Sequence, residues 1–197
     1  MDSICVRCRA AGEKLYLKGD KCLSPSCPFT RRPYPPGPSG PGKQKKGVRQ
    51  VSDFARQLRG KQKIKKTYLM RERQLRRFFE VANRRQGPTG EQLLGILESR
   101  LDSVVFAAKF RSSRAAARQA VSHHHVTVNG QTVSIPSFLV SPKDRVEVSS
   151  APEDWSKAEL PAWLEASKGG VTMSRQPLRE EMPPFLDEQA LVEYYGR

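Results

Sequence analysis

Hydrophobic residues recur at helical spacing along the chain from residue 52 onward. Phe54 and Leu58 lie one turn apart behind Ser52, a suitable N-cap, and predict a short helix that ends near Gly60. A longer helix is predicted over residues 67–85, where arginines surround an apolar stripe. We interpret the stripe as core and the arginines as phosphate contacts. The stripe comprises Tyr68, Leu75, Phe78, Phe79 and Ala82.

The next part of the chain predicts a helix and then a small mixed module. Thr89 and Gln92 have the spacing of a capping box for the helix that follows. Residues 98–148 then predict two short helices and a small sheet, with Asn129 and Gly130 forming a tight type I′ hairpin turn. The pattern therefore predicts an α+β fold that is mainly helical.

All four cysteines lie within the first 27 residues, as Cys5-x2-Cys8-x13-Cys22-x4-Cys27. Two close thiol pairs separated by a loop predict a closed tetrahedral site, and structural Zn²⁺ is the expected occupant. Two disulfides or unpaired thiols are the alternative, disfavoured because no secretory signal is visible. A lone iron–sulfur cluster stays open, since four thiolates alone do not select the metal.

Positive charge is concentrated in the first half of the chain. The net charge is +15, and residues 1–90 carry 23 basic and 6 acidic side chains, or +17. Residues 91–150 carry +2 and residues 151–197 carry −4. So basic a segment favours a polyanionic partner, and no segment is long and apolar enough to span a membrane. Nucleic acid is therefore the expected partner.

A proline- and glycine-rich segment follows the cysteines, over residues 31–42. Its composition forbids helix or central strand and predicts an extended arm that lies on a partner, with a plain linker as the alternative. Basic residues continue beyond it, which favours the arm. The candidate RNA contacts of this region are Arg31, Arg32, Tyr34, Lys43, Lys45, Lys46 and Arg49.

Sequence motifs are found both inside and outside the small module. Those inside are Arg100-Leu101-Asp102-x-Val104-Val105, Ser113-Arg114-x3-Arg118-Gln119, His123-x-His125-Val126-x-Val128-Asn129-Gly130 and Ile135-Pro136-Ser137. Those outside include Arg31-Arg32-Pro33-Tyr34, Glu72-Arg73-Gln74-x-Arg76-Arg77-Phe78-Phe79, Thr89-Gly90-Glu91-x-Leu93-Leu94 and Leu191-Val192-Glu193-Tyr194-Tyr195. The first set resembles the RNA-binding module named after small-subunit ribosomal protein four. Together with the cysteines, the two sets resemble the bacterial type of that universal family, in its zinc-containing four-cysteine form, over nearly the whole chain.

The resemblance implies a structural component of the small ribosomal subunit. Such a protein binds small-subunit rRNA directly, nucleates assembly of the 5′ domain and lies near the channel through which mRNA enters. The implied partners are this rRNA, neighbouring small-subunit ribosomal proteins and mRNA, with no membrane and no small-molecule substrate. We expect no enzymatic activity, because no nucleophile elbow or phosphate-cradling loop is present. The alternative is a non-ribosomal RNA-binding regulator or assembly factor.

The resemblance also implies a domain organisation and a location. Residues 1–42 would form a zinc-bound segment with the proline-rich arm, and residues 98–150 an inserted helix-helix-sheet RNA-binding module. A helical domain of residues 43–97 and 151–197 would surround that module, with the C-terminal helix returning to pack on it. We expect a cytoplasmic bacterial ribosome rather than an organellar one, since no Arg- and Ser-rich, acid-poor leader is visible.

The candidate RNA contacts beyond the arm combine the arginine-rich helix with the module. Arg114 and Arg118 are expected on an exposed helix face, so that reversing both charges would weaken RNA binding and leave the fold intact. The family usually has glycine at the positions of Lys109 and His124, and a left-handed helix end would suit His124 poorly. The candidates are Lys61, Lys63, Arg73, Arg76, Arg77, Arg100, Arg111, Ser113, Arg114, Arg118, His123, His125 and Asn129.

Overall fold

The computed structural model describes residues 4–37, 52–149, 159–167 and 169–196. Its helices are α1 (Ile4–Ala11), α2 (Pro28–Arg31), α3 (Asp53–Thr67), α4 (Glu72–Asn83), α5 (Thr89–Glu98), α6 (Leu101–Ala107), α7 (Arg114–Ser122) and α8 (Glu188–Tyr195), with 3-10 turns at Gly19–Cys22 and Arg179–Glu181. Its strands are β1 (Val126–Val128), β2 (Gln131–Thr132), β3 (Arg145–Val148), β4 (Leu164–Ser167) and β5 (Gly170–Met173).

The chain divides into two compact units. The first, called the terminal unit below, consists of residues 1–71 and 185–197, and the second, the central unit, of residues 72–184. The predicted boundaries at residues 97/98 and 150/151 fall inside the central unit. The reason is the sheet, because β3 of the expected module pairs with β5, which lies beyond that module in sequence.

The central unit places helices beside one antiparallel sheet with the strand order β2-β1-β3-β5-β4. Its core is made by the apolar faces of α6 and α7 together with inward-facing strand residues. Phe110 and Val146 have no exposed surface, and Trp163 is 2% exposed. This closed core holds α7 and the short segments around it in fixed positions.

The terminal unit is built around α3 and α8, which pack against each other. The expected return of the C-terminal helix onto the helical part of the chain is therefore confirmed. Leu191 is fully buried. Gln57 of α3 donates a hydrogen bond from Nε2 to Glu193 Oε2 at 2.9 Å.

The predicted helix boundaries around Gly60 were wrong. One helix, α3, continues through Gly60 to Thr67, and the next begins at Glu72 rather than Thr67. A β-carbon at Gly60 would lie 2.7 Å from Ala190 Cβ, so the glycine is needed for close packing against α8 and does not end a helix. The break comes instead at Leu69, whose φ of 51° lies in the left-handed region and interrupts the helical backbone.

Local capping signals were mostly confirmed. Ser52 Oγ accepts from the Ala55 N–H at 3.3 Å, as predicted. Asn129 and Gly130 have φ values of 51° and 82° in the two-residue turn between β1 and β2, as a type I′ hairpin requires. The capping box at Thr89 was wrong. Thr89 is itself the first residue of α5, and its hydroxyl donates to Asn83 Oδ1 at 3.3 Å.

The described helices are short and polar relative to membrane-spanning helices. None of those in the described ranges has the length and hydrophobicity needed to cross a bilayer.

Candidate cysteine site and RNA-binding surfaces

The four cysteines line one small cavity in the terminal unit. Cys8, Cys22 and Cys27 are buried, Cys5 is half-buried, and none of the four forms a disulfide. The Lys18 N–H donates to Cys22 Sγ at 3.3 Å. Four thiols that share a cavity, three of which accept backbone N–H groups, have the donor chemistry of a tetrahedral metal site.

The protein environment shifts two of these thiols in opposite directions. Burial raises the pKa of the Cys8 thiol. Burial also raises the pKa of Cys27, but the backbone N–H groups of Thr30 and Phe29 outweigh that effect, so its pKa is lowered overall. Cys27 immediately precedes α2, where backbone N–H groups stabilise a thiolate.

The cysteine cavity is not yet arranged as a coordination sphere. Among the described side chains, no three His, Cys, Asp or Glu residues are arranged to hold a metal ion. The number and type of the donors thus fit Zn²⁺, and the ligand geometry is not formed. Zinc binding stays a prediction.

The proline-rich arm begins against α1. Arg9 Nε donates to the Tyr34 carbonyl at 2.9 Å, and its guanidinium lies 5.0 Å from the centroid of the Tyr34 ring. Arg31 and Arg32 are exposed. The start of the arm is therefore held by the cysteine segment. Lys43, Lys45, Lys46 and Arg49 lie outside the described residues.

Two predicted RNA contacts on α3, Lys61 and Lys63, instead interact with other residues of the terminal unit. Lys61 is 4% exposed, and its Nζ lies 4.0 Å from the centroid of the Tyr194 ring. Lys63 Nζ pairs with Glu13 Oε1 at 2.6 Å. The buried lysine stabilises the docking of α8 and has little surface to offer RNA, which corrects its prediction as a contact.

The arginines of α4 match their predicted role better. Arg73, Arg76 and Arg77 are all exposed. Arg76 forms a one-turn ion pair with Glu80 at 3.3 Å, a weak interaction at such exposure. Meanwhile Leu75 and Ala82 are fully buried, so the helix presents charge on one side and packs with the other.

The most buried ionic cluster lies at the junction of α5, α6 and α7. Arg100 has no exposed surface and forms a two-pronged ion pair with Asp102, at 3.0 and 2.6 Å. Arg114 Nη2 donates to Glu98 Oε1 at 2.6 Å and its Nη1 to Ser103 Oγ at 2.9 Å.

This cluster corrects two predicted RNA contacts. Arg100 cannot present its charge at the surface, and the Arg114 side chain is only 11% exposed. A charge reversal at Arg114 would place a carboxylate against buried Glu98, so the structure instead predicts that the Arg114 and Arg118 double reversal destabilises the central unit. Arg118 differs, because its side chain is 37% exposed and lies 3.8 Å from Asp102.

A second group of predicted residues is brought together along α7. Arg111, His123 and His125 line a cleft of about 180 Å³ with Ala116, Gln119 and Ala120. Both histidines are exposed. This is the clearest concave surface among the predicted RNA contacts of the central unit, and we call it the α7 cleft.

Ser113 and Asn129 have roles within the fold. Ser113 Oγ accepts from the Ala116 N–H at 3.2 Å as the cap of α7. Asn129 Nδ2 donates to Asp144 Oδ1 and its Oδ1 accepts from the Arg145 N–H, each at 2.9 Å. These bonds account for both residue types without a partner molecule.

Sequence reasoning missed residues at two concave surfaces. Gln119 lines the α7 cleft, and its spacing of four residues from His123 could have indicated a shared helix face. Arg56 and Arg59 line a larger open cleft of about 500 Å³ with Lys63 in the terminal unit. Arg56, Arg59 and Lys63 are spaced three and four residues apart along α3, which likewise could have indicated a shared helix face.

A basic chain with an exposed arginine helix and a small helix-helix-sheet module belongs to the class of RNA-binding proteins. Residues 2–98 match the family described as ribosomal protein S4/S9 N-terminal domain, and residues 99–146 match the S4 domain.

The chain is also similar to small-subunit ribosomal proteins along nearly its whole length. The chain is 43% identical over 203 residues to small ribosomal subunit protein uS4 of Dictyoglomus turgidum, covering 98% of this chain and 96% of that one. It is 44% identical over 207 residues to uS4A of Symbiobacterium thermophilum and 42% over 206 residues to uS4 of Thermus thermophilus, each covering 98% of this chain and 97% of the relative. The chain belongs to the uS4 family of ribosomal proteins.

Proposed function

We propose that this chain is a structural component of the small ribosomal subunit and binds its rRNA directly. The supporting observation is similarity over 98% of the chain to uS4 proteins, together with an S4 domain. The protein acts by holding RNA and carries out no chemical step.

The binding mechanism is contact at several surfaces, each with modest affinity. Exposed Arg31 and Arg32, the arginines of α4, and the α7 cleft lie on different elements of the chain. Side chains at these places contact phosphate and ribose, because the deep, narrow major groove of A-form RNA hides base edges. Several RNA helices held at once would keep one mutual arrangement.

We infer a finer role for the protein from its resemblance to this family. Within the small subunit, the protein nucleates assembly of the 5′ domain, contacts neighbouring ribosomal proteins and lies near mRNA as it enters. The curated relatives named above are bacterial ribosomal proteins, which supports a cytoplasmic ribosome as the location. The basic residues between 43 and 49 are the candidates for the mRNA side.

Co-sedimentation separates a resident ribosomal protein from an assembly factor or regulator. Small subunits from cells expressing the tagged full-length chain are washed at rising salt on sucrose gradients. A resident protein stays with mature subunits at stoichiometric level. Release at moderate salt, or association only with precursor particles, contradicts residence and supports the alternative.

We further propose that Cys5, Cys8, Cys22 and Cys27 bind one structural Zn²⁺. Four thiols in one cavity, three of them buried, support this assignment, as does the lowered pKa of Cys27. The metal would hold α1, the 3-10 turn and α2 together, and with them the start of the arm. Zinc binding would supply folding energy that so small a core lacks.

Elemental analysis and a cysteine variant test the zinc site. Purified protein should contain about one zinc per chain, and Cys8→Ser should lower that content. The variant should also speed amide exchange over residues 4–37 and leave the cysteine-free central unit protected. Iron in place of zinc, or full exchange protection in the metal-free variant, contradicts the proposal.

A further inference from the structure

The α7 cleft is lined by one arginine, two histidines, one glutamine and two alanines. Ala116, Gln119, Ala120 and the C-cap His123 recur at spacings of three and four residues, so they share one face of α7, and the two alanines leave room beside the larger side chains. Arg111 and His125 complete the lining. At about 180 Å³ the cleft exceeds the roughly 150 Å³ cavity that accommodates a benzene ring.

The two histidines at this cleft are held by a rigid helix end. The His124 N–H donates to the Val121 carbonyl and the His125 N–H to the Ala120 carbonyl, both at 3.1 Å. With φ of 62° at His124, these are the paired bonds of a Schellman motif. The Ser149 N–H also donates to the His125 carbonyl at 2.9 Å. The backbone beneath both rings is thus fixed before any ligand arrives, which lowers the cost of ordering on binding.

The imidazole rings of His123 and His125 lie close to each other and line the same cleft. Their planes differ by 29°, and their centroids are 6.4 Å apart, near the upper end of the range for direct aromatic pairs. Stacked bases repeat at about 3.4 Å, so a base between two rings needs about 6.8 Å. The centroid distance is about 0.4 Å shorter than that value and sets the upper limit of the gap between the rings, so the two side chains must open slightly to admit a base.

We propose that His123 and His125 clamp a single unstacked nucleobase of the bound RNA between their rings. This inference rests on the proposed function and names the RNA element recognised in the α7 cleft, an unpaired or bulged nucleotide. Sequence-specific proteins commonly take such bases out of the RNA helix and stack them on aromatic side chains.

The rest of the cleft suits a nucleotide. The Gln119 side chain has both a donor and an acceptor for a base edge. The Arg111 guanidinium, which donates one bond to the Phe110 carbonyl at 2.9 Å, places positive charge beside the phosphate. Ala116 and Ala120 let the sugar approach the helix closely. Stacking alone does not discriminate between bases, so Gln119 would determine any preference for one base over another.

Nuclear magnetic resonance of the full-length protein tests the clamp directly. The chain has three histidines, so its ring signals are few and are assigned by single substitution. Adenosine monophosphate should shift the His123 and His125 ring protons upfield, saturably, and leave His124 unmoved. Ribose 5-phosphate, which lacks a base, should give no such shift. Absence of the upfield shift, or an equal response to the sugar phosphate, overturns the clamp.

Substitutions then test the clamp on RNA, with a transcript of the small-subunit 5′ domain as the ligand. His123→Ala and His125→Ala should each weaken binding by about 5-fold to 150-fold, the range expected from losing one base stack. His124→Gly is the matched control, since it removes an exposed imidazole outside the cleft and keeps the helix end. Its affinity should equal that of the wild type.

Two substitutions at His125 distinguish the contribution of the aromatic ring from that of the positive charge. His125→Phe keeps a stacking surface and should retain most of the affinity, whereas His125→Lys keeps a cation and should not. If the lysine variant binds RNA more tightly than the phenylalanine variant, the imidazoles contact phosphate through their charge, and this result overturns the clamp. Failure of the wild-type protein to bind the transcript would contradict the proposed function, whereas tight binding by both alanine variants contradicts the clamp alone.

Discussion

Lys109 and His124 are exposed residues with positive φ values, 61° and 62°. Each follows a helix, α6 or α7, in the position where glycine is favoured because it has no β-carbon. Left-handed backbone costs other residues roughly 1–2 kcal/mol. His124 keeps this strained position beside the two histidines of the α7 cleft.

Glycine at position 124 is therefore predicted to stabilise the protein. His124→Gly should raise the free energy of unfolding by about 0.5–1 kcal/mol, since relieved strain exceeds the entropy that glycine adds to the unfolded chain. Urea denaturation followed by circular dichroism measures the change. His124→Ala is the control and should show no comparable gain, because alanine keeps the β-carbon. A loss of stability in the glycine variant would contradict the strain.

The buried pair between Arg100 and Asp102 makes a second prediction at this scale. Asp102→Asn leaves a buried guanidinium without its carboxylate, and should destabilise the central unit by about 3 kcal/mol or more. Asp53→Asn is the matched control, because its pair with Arg56 is exposed and worth less than about 1 kcal/mol. Urea unfolding of both variants measures the difference. Equal effects would show that burial adds nothing to this pair.

At the scale of elements, the contact between α3 and α8 depends on one glycine. Gly60→Ala would place a β-carbon 2.7 Å from Ala190 Cβ, so the two helices must separate. We predict a loss of about 1–2 kcal/mol, because overpacking outweighs the better helix propensity of alanine.

The control for this substitution lies in α5. A β-carbon at Gly95 meets nothing within 4 Å, so Gly95→Ala should be neutral or stabilising by up to about 1 kcal/mol. Ala190→Gly should restore part of the stability lost in Gly60→Ala. Thermal unfolding of the three variants checks this, and a stable Gly60→Ala protein would contradict the close packing.

Some caps, turns and helix boundaries were predicted correctly from the sequence, and others were not. Caps and turns depend on neighbouring residues, so the Ser52 cap and the Asn129–Gly130 hairpin were predicted correctly. The continuation of α3 through Gly60 depends on Ala190, which lies 130 residues away in sequence, and no local pattern contains that contact.

The candidate site shows the same division between local and distant causes. Exposed arginines on α4 follow from helical periodicity, and this part was predictable. Burial of Arg100 and Lys61 was not, because it depends on partners such as Asp102 and Tyr194 that only the folded chain brings close. A basic residue in a motif can thus lie either at the surface, where RNA can bind, or in the protein interior. Its charge alone does not distinguish these two positions.

At the scale of the whole molecule, positive charge is distributed over separate elements of both compact units. Besides Arg76, which pairs with Glu80 on the same helix, six candidate arginines are exposed or half-buried, which are Arg31, Arg32, Arg73, Arg77, Arg111 and Arg118. If each neutralises one phosphate, counterion release gives a slope of log affinity against log salt of about −4 to −5. Loss of any one surface should reduce affinity without abolishing it.

The most direct test of this account is the affinity of the purified full-length protein for a 5′-domain rRNA transcript, measured by filter binding between 50 and 400 mM salt. The account predicts a slope of about −4 or steeper and tighter binding than to an unrelated transcript of equal length. A flat salt response, or equal affinity for the two transcripts at every salt concentration, would contradict it.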